Sequence, residues 1–257
     1  LKCWEKYAYN EVDKVIVNYN NHSGVPQEVV EEFLSRVSRE PKVQIIYHPN
    51  GIGNGIPIKE GMLISPEDSL ILLLEDDGWL LKAGIVDKYY KMIENGECDA
   101  VGSPRGSCGQ EISDAAAKKY NIDLTKFGDC GVNTWPNFFW CKRKDLFNTD
   151  WNFASKEFTK GVYYKEIDHT MSETQYGDTF VYADLQMRYN GVRFFDIPQH
   201  HMSPTEPQDK NVKVNNWANG TPPYIHVGSL SSGWGGYLSR QKPPLNSDME
   251  KQEIFHP

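Results

Sequence analysis

Three adjacent carboxylates, Glu75-Asp76-Asp77, directly follow the apolar run from Ser69 to Leu74. Crowded carboxylates repel one another unless a cation is present. Oxygen donors suit a hard ion such as Mg2+ or Mn2+, which can also bridge two phosphates. A solvated acidic turn has the same composition, so the triplet alone leaves both readings open. Two further acids, Asp178 and Asp184, fall at the start and within a helical stretch. A general base must reach a hydroxyl to about 3 Å. Asp178 is the first choice for that role and Asp184 the second, although capping is the usual task of an Asp at a helix start. Asp184 lies about one and a half turns further on, so the two need not share a face.

The elements that must position these groups follow from periodicity. Val15-Ile16-Val17 reads as a strand, and apolar residues at Val29, Val30, Phe33, Leu34 and Val37 predict a helix from Pro26 to Val37. Val43 to Tyr47 is a second strand. A glycine-rich stretch, Asn50 to Gly55, leads into a short helix from Pro57 to Ser65. Ser69 to Leu74 is continuously apolar, as in the buried centre of a parallel sheet. Leu80 to Asn95 reads as a helix closed by Gly96, and Ala100-Val101-Gly102 as a short strand. Alternation of this kind means βαβ units. In the second half, Asn133 to Cys141 is an aromatic strand, Thr179 to Asn190 a helix followed by Gly191, and Val192 to Ile197 a strand. From Pro198 onward Pro, Gly, Asn and Ser dominate, and the chain from Gln241 reads as a tail.

The 257 residues suffice for one large α/β domain with its own core. A net charge of -8 argues against a protein that coats nucleic acid. Five cysteines at spacings that match no zinc or redox motif read as free thiols in a reducing compartment, giving a cytoplasmic expectation. Sequons at Asn21 and Asn219 give the alternative, the lumenal domain of a secretory-pathway enzyme. No apolar run reaches the roughly 20 residues of a membrane span. The opening Leu1-Lys2-Cys3-Trp4 reads as an internal stretch, with an upstream strand expected before it.

Three segments share an order. Asp13 to Gly24, with Asn20 after a strand, resembles the first nucleotide-binding segment of family 2-like GT-A glycosyltransferases. His48-Pro49-Asn50-Gly51-Ile52-Gly53-Asn54-Gly55 resembles the family's Asn/Gly-rich turn, and Glu75-Asp76-Asp77 falls where its DxD motif falls. The match covers residues 13–104 and extends weakly to about 200. It implies a GT-A (Rossmann-like), mostly parallel central sheet flanked by helices. Residues 1–104 would be the nucleotide-sugar half, 105–240 the smaller acceptor half, and 241–257 a tail. Asn20, Asn50, Gly51, Gly53, Glu75 and Asp76 would hold the nucleotide. Asp77 and Glu75, with a late His226, would hold Mn2+ or Mg2+. The family's uracil-reading Asp is Asn20 here, whose amide oxygen can still accept. Asp184-Leu185 with Arg188 resembles the tail of the family's catalytic carboxylate run, with Val181 and Tyr182 where acids normally precede it. Trp135 and Trp140 are candidates for stacking on an acceptor sugar, with core packing of alternate residues the competing reading.

These features predict an inverting, metal-dependent glycosyltransferase that moves a sugar from a UDP- or GDP-type donor to a glycan or other hydroxyl acceptor. Two alternatives are a sugar-1-phosphate nucleotidyltransferase, whose N-terminal Gly-rich triphosphate loop is not seen, and a non-catalytic carbohydrate-binding domain.

Overall fold

The computed structural model of the chain describes residues 2–20, 26–53, 55–74, 78–80, 83–102, 108–124, 136, 138–150, 153–197, 199–201, 212–215 and 224–227. Glu75, Asp76, Asp77, Trp135, Cys130, both sequons and the 241–257 tail lie outside these residues.

The first half follows the expected alternation. Helix α1 (Lys2–Tyr7) precedes β1 (Val15–Asn20), α2 (Gln27–Val37), β2 (Val43–His48), α3 (Gly55–Leu63) and β3 (Leu70–Leu73). β1 and β2 pair in parallel, with Val15 opposite Val43 and Asn20 opposite His48. The helix expected from Leu80 begins later. Gly78–Leu80 is instead strand β4, and α4 spans Ile85–Glu94. The cause is local. Gly84 takes φ 80°, a left-handed conformation that ends any continuous helix through it. The Glu11 carboxylate then accepts from the Gly84 and Asp87 N–H groups at 2.6 and 2.9 Å, so a distant side chain supplies the missing cap. Gly96 closes α4 as expected.

The second half holds β5 (Ala100–Gly102), α5 (Gln110–Tyr120), β6 (Phe139–Lys142), α6 (Arg143–Phe147), β7 (Lys156–Phe158), β8 (Tyr163–Tyr164), β9 (His169–Thr170), β10 (Gln175–Gly177), α7 (Val181–Tyr189), β11 (Phe194–Asp196), β12 (Gln199–His201), β13 (Val212–Asn215) and β14 (Tyr224–Val227). The architecture is mixed α/β, with seven helices and several small sheets among the described residues. A mostly parallel central sheet is not what forms. The order β11-β5-β6-β3 contains one parallel pairing, β11 with β5. β6 runs antiparallel to both its neighbours, β3 and β5. β12-β13-β14-β4 is wholly antiparallel.

β6 explains why its residues are so apolar. Trp140 enters a core with Tyr89, Phe138, Val101 and Ile93, whereas Phe139 and Cys141 enter another with Met62, Phe153 and Phe180. Alternate residues face opposite sides, so a strand covered on both faces must be apolar throughout. α7 is buried all round from Val181 to Arg188 in the same way. Val181 and Leu185 face the core of α5, and Ala183 and Met187 face that of β6.

β7–β10 form an antiparallel arm, with Tyr176 opposite Glu157 and Tyr163 opposite Thr170. The arm docks on α5. Gln175 Oε1 accepts the Glu111 N–H at 3.1 Å, capping a helix whose Gly109 has no side chain to do so. Glu111 meets His169 Nε2 at 2.6 Å and accepts from the Ser172 backbone N–H at 2.6 Å and hydroxyl at 3.0 Å. The Ser172 N–H, followed by His169, holds the Glu111 carboxyl down to about 2, against an ordinary value of 4.5. A depressed carboxyl stabilises the fold fully above its ordinary value, and that stabilisation is lost as pH falls toward the folded value. The arm should therefore loosen between about pH 4.5 and about pH 2. Thermal melting across that range should show a steeper acid loss for the wild type than for Glu111→Gln, which should already melt lower at neutral pH.

Candidate active site

The acid run joins two described strands. β3 ends at Leu73, Leu74 follows at 38% exposure, and β4 starts at Gly78. β4 is the partner of β14, in a register that sets His226 opposite Gly78 and Ile225 opposite Trp79. His226 thus pairs, through its backbone, with the residue directly after Asp77. Its ring and the three carboxylates are outside the described atoms. Among the described residues no cluster of His, Cys, Asp and Glu could hold a metal ion.

The glycine-rich turn is built by amides at the ends of β1 and β2. Asn20 Nδ2 donates to the Ile52 carbonyl and Asn20 Oδ1 accepts the Ile52 N–H, both at 2.7 Å. The amide expected to accept from a nucleobase is engaged with the backbone, so Asn20 clasps the turn. Asn18 Nδ2 donates to the Pro57 carbonyl at 2.7 Å. His48 Nε2 lies 2.7 Å from Glu60 Oε2 and 3.0 Å from Asn18 Oδ1. Both are acceptors, so Nε2 carries the proton. Gly51 has φ 65°, which a side chain would resist, and Asn50 and Gly53 are exposed. The turn is therefore held from below and open above, with backbone N–H groups ahead of α3.

Phe153 and Ala154 link this turn to the second half of the chain. A Cβ on Gly55 would stand 2.7 Å from Ala154 N and 2.8 Å from the Phe153 carbonyl carbon. The Phe180 N–H donates to the Phe153 carbonyl at 2.8 Å. The Phe180 ring stacks on Phe153 at 5.8 Å and meets Phe139 edge-on at 5.1 Å. Phe139 in turn pairs with Leu73, at the end of the strand that leads to the acids. The turn, the end of β3 and the start of α7 thus gather around Phe153, Phe139 and Phe180.

Asp178 sits two residues before Phe180. It is exposed, and its Oδ1 accepts the Thr179 N–H at 2.7 Å while its carbonyl accepts from Val181. Asp184 cannot serve as a base. It is 0% exposed and ion-paired with Arg188, Nε to Oδ2 at 3.1 Å. Arg188 also binds Asp196 at 2.7 Å and lies 3.8 Å over the Phe194 ring. Trp140 is corrected too. At 1% exposure, with Tyr89 4.8 Å and Phe138 4.3 Å from its ring, it is a core residue and no sugar platform. Trp135 falls outside the described residues.

Sequence reasoning missed Asn18 and His48 as builders of the turn. The available signal was alternation: Asn18 and Asn20 share a face of β1, beside a strand that ends on His48. A cavity of about 470 Å³ lined by Tyr120, Asp123, Arg188, Arg193, Phe194 and Asp196 lies elsewhere. Arg188 is about 12 Å along α7 from Phe180, at the other end of the helix.

Removing one partner of a buried ion pair costs about 3–5 kcal/mol. Asp184→Ala should therefore lower the unfolding free energy by that order in denaturant titration, whereas Asp178→Ala should leave the midpoint close to wild type. Gly55→Ala forces backbone against backbone and should cost about 1–3 kcal/mol in the same titration. No protein-family model matches the chain, and no curated protein matches it.

Proposed function

We propose that the chain is a divalent-metal-dependent glycosyltransferase that moves a sugar from a nucleoside-diphosphate sugar to a hydroxyl acceptor. The observation that carries this reading is the pairing of β4 with β14, which sets His226 opposite Gly78 at the end of the acid run. Carboxylate oxygens suit Mn2+ or Mg2+, and His226 would add one imidazole nitrogen to them. Glu75, Asp77 and His226 fit the ion that the resemblance implies. Bound there, it would supply charge neutralisation for the departing diphosphate.

The remaining parts fall to the chain's own groups. The turn at Asn50, Gly51 and Gly53, clasped by Asn20, offers backbone N–H groups to phosphate oxygens. Glu75, through water to the metal or by contact with the ribose, and Asp76 would complete the nucleotide site, as the resemblance implies. Asp178, exposed ahead of α7, takes the proton of the acceptor hydroxyl while that oxygen bonds to the anomeric carbon and the diphosphate leaves. Attack on the face opposite the leaving group inverts the anomeric centre. Among the described residues no helix is long and apolar enough to cross a membrane.

Calorimetry with UDP and GDP, each with and without Mn2+, tests this reading. Binding should require the metal, and Asp77→Ala should weaken it at least about tenfold without lowering the melting temperature. Binding that is absent or indifferent to metal would overturn the proposal. With labelled nucleotide sugars, release of a nucleoside diphosphate is expected, and release of pyrophosphate would favour nucleotidyl transfer.

A further inference from the structure

Tyr176 is the most exposed large hydrophobic residue among the described residues, at 64%. Its hydroxyl donates to Glu157 Oε2 at 2.6 Å, and the other Glu157 oxygen accepts from Thr159 Oγ1 at 3.2 Å. Glu157 is its cross-strand partner in β7, so the pair lies directly opposite on one face of the arm. The Tyr176 carbonyl accepts the Gly109 N–H at 3.1 Å, which fixes the backbone to the start of α5. The Glu157 bond also raises the phenol's pKa, keeping the donor proton in place.

Gly177 is buried, while Tyr176 and Asp178 are both exposed. The two residues are about 6–7 Å apart along the chain. An exposed aromatic ring, its hydroxyl tied to the Glu157 carboxylate, therefore lies two residues from the carboxylate assigned the acceptor's proton. Aromatic faces take the C–H face of a pyranose, and carboxylates accept from its hydroxyls. Two negative groups also repel an anionic sugar.

We infer that Tyr176, with Glu157, forms the acceptor platform, and that the acceptor it takes is a neutral pyranoside. This rests on the transferase reading for the word acceptor, while the platform itself can be tested without donor or metal. The probes are methyl glycosides of glucose, galactose, mannose and N-acetylglucosamine, with methyl glucuronide as the anionic counterpart, titrated into the full chain by NMR. At least one neutral glycoside should bind and shift the amides of Tyr176 and Asp178. Tyr176→Ala should weaken that binding about tenfold, the loss of one stacking contact. Tyr176→Phe keeps the ring without its anchor and should lose only about threefold. Tyr163→Ala removes a tyrosine held in the same way by Asp168 at 2.7 Å, on β8 of the arm, and should change nothing. The glucuronide should bind more weakly than the glucoside. The inference falls if no neutral glycoside binds, if Tyr176→Ala binds like wild type, or if the glucuronide binds better. Sugar binding without metal-dependent nucleotide binding would sink the transferase reading and leave the platform standing. The reverse result would sink the platform alone.

Discussion

The junction between Phe153 and Phe180 is the constraint on which the rest of the site depends. Phe180 holds φ 74°, a left-handed conformation that costs a bulky residue about 1–3 kcal/mol. It persists because its N–H is bound to the Phe153 carbonyl and its ring is wholly buried between Phe153 and Phe139. Without that bend the chain could not leave β10 and enter α7 in so few residues. The same contacts fix Asp178 on one side and the Gly55–Ala154 contact on the other. Phe138, at φ 62°, is a second such residue, immediately before the strand that pairs with β3. Both strained aromatics lie where the elements of the site meet, which is where strain tends to be retained.

The strands and helices with clear periods were legible in the sequence, because a repeat of 2 or 3.6 residues reports directly which face is covered. β1, β2, α2 and β5 stand within a few residues of where the pattern puts them. Direction is not written in a period. The aromatic run ending at Cys141 reads as a strand, but nothing in it says that β6 lies antiparallel between β3 and β5. The arm went unread because its strands are two or three residues long and its anchors on α5, Glu111 and Tyr120, are far away in sequence. Among the site residues, Asp184 carried a usable sign in Arg188, four residues on, which is ion-pair spacing on a helix. The third member of the cluster, Asp196, which pairs with Arg188, arrives only with the fold. Trp140 looked like a platform because composition cannot distinguish an aromatic in the core from one at the surface.

The polar turn behind β1 and β2 shows why residue type alone misassigns roles. An amide offers both a donor and an acceptor, so Asn20 can satisfy Ile52 at both ends where a carboxylate could meet only one. Asn18, His48 and Glu60 extend the same scaffold under α3. The backbone above is presented by a fixed frame, and any contact with a phosphate there falls to main-chain groups whose geometry these side chains set.

β4 and β14 come from widely separated stretches of the chain, yet they share one ladder. Closing so large a loop is entropically unfavourable until the rest of the domain is organised. The two parallel strands and the Phe153–Phe180 junction can form from nearer neighbours, while the ladder must close late. A nascent chain would therefore hold β4 as an unpaired strand edge until β14, far along the chain, had emerged.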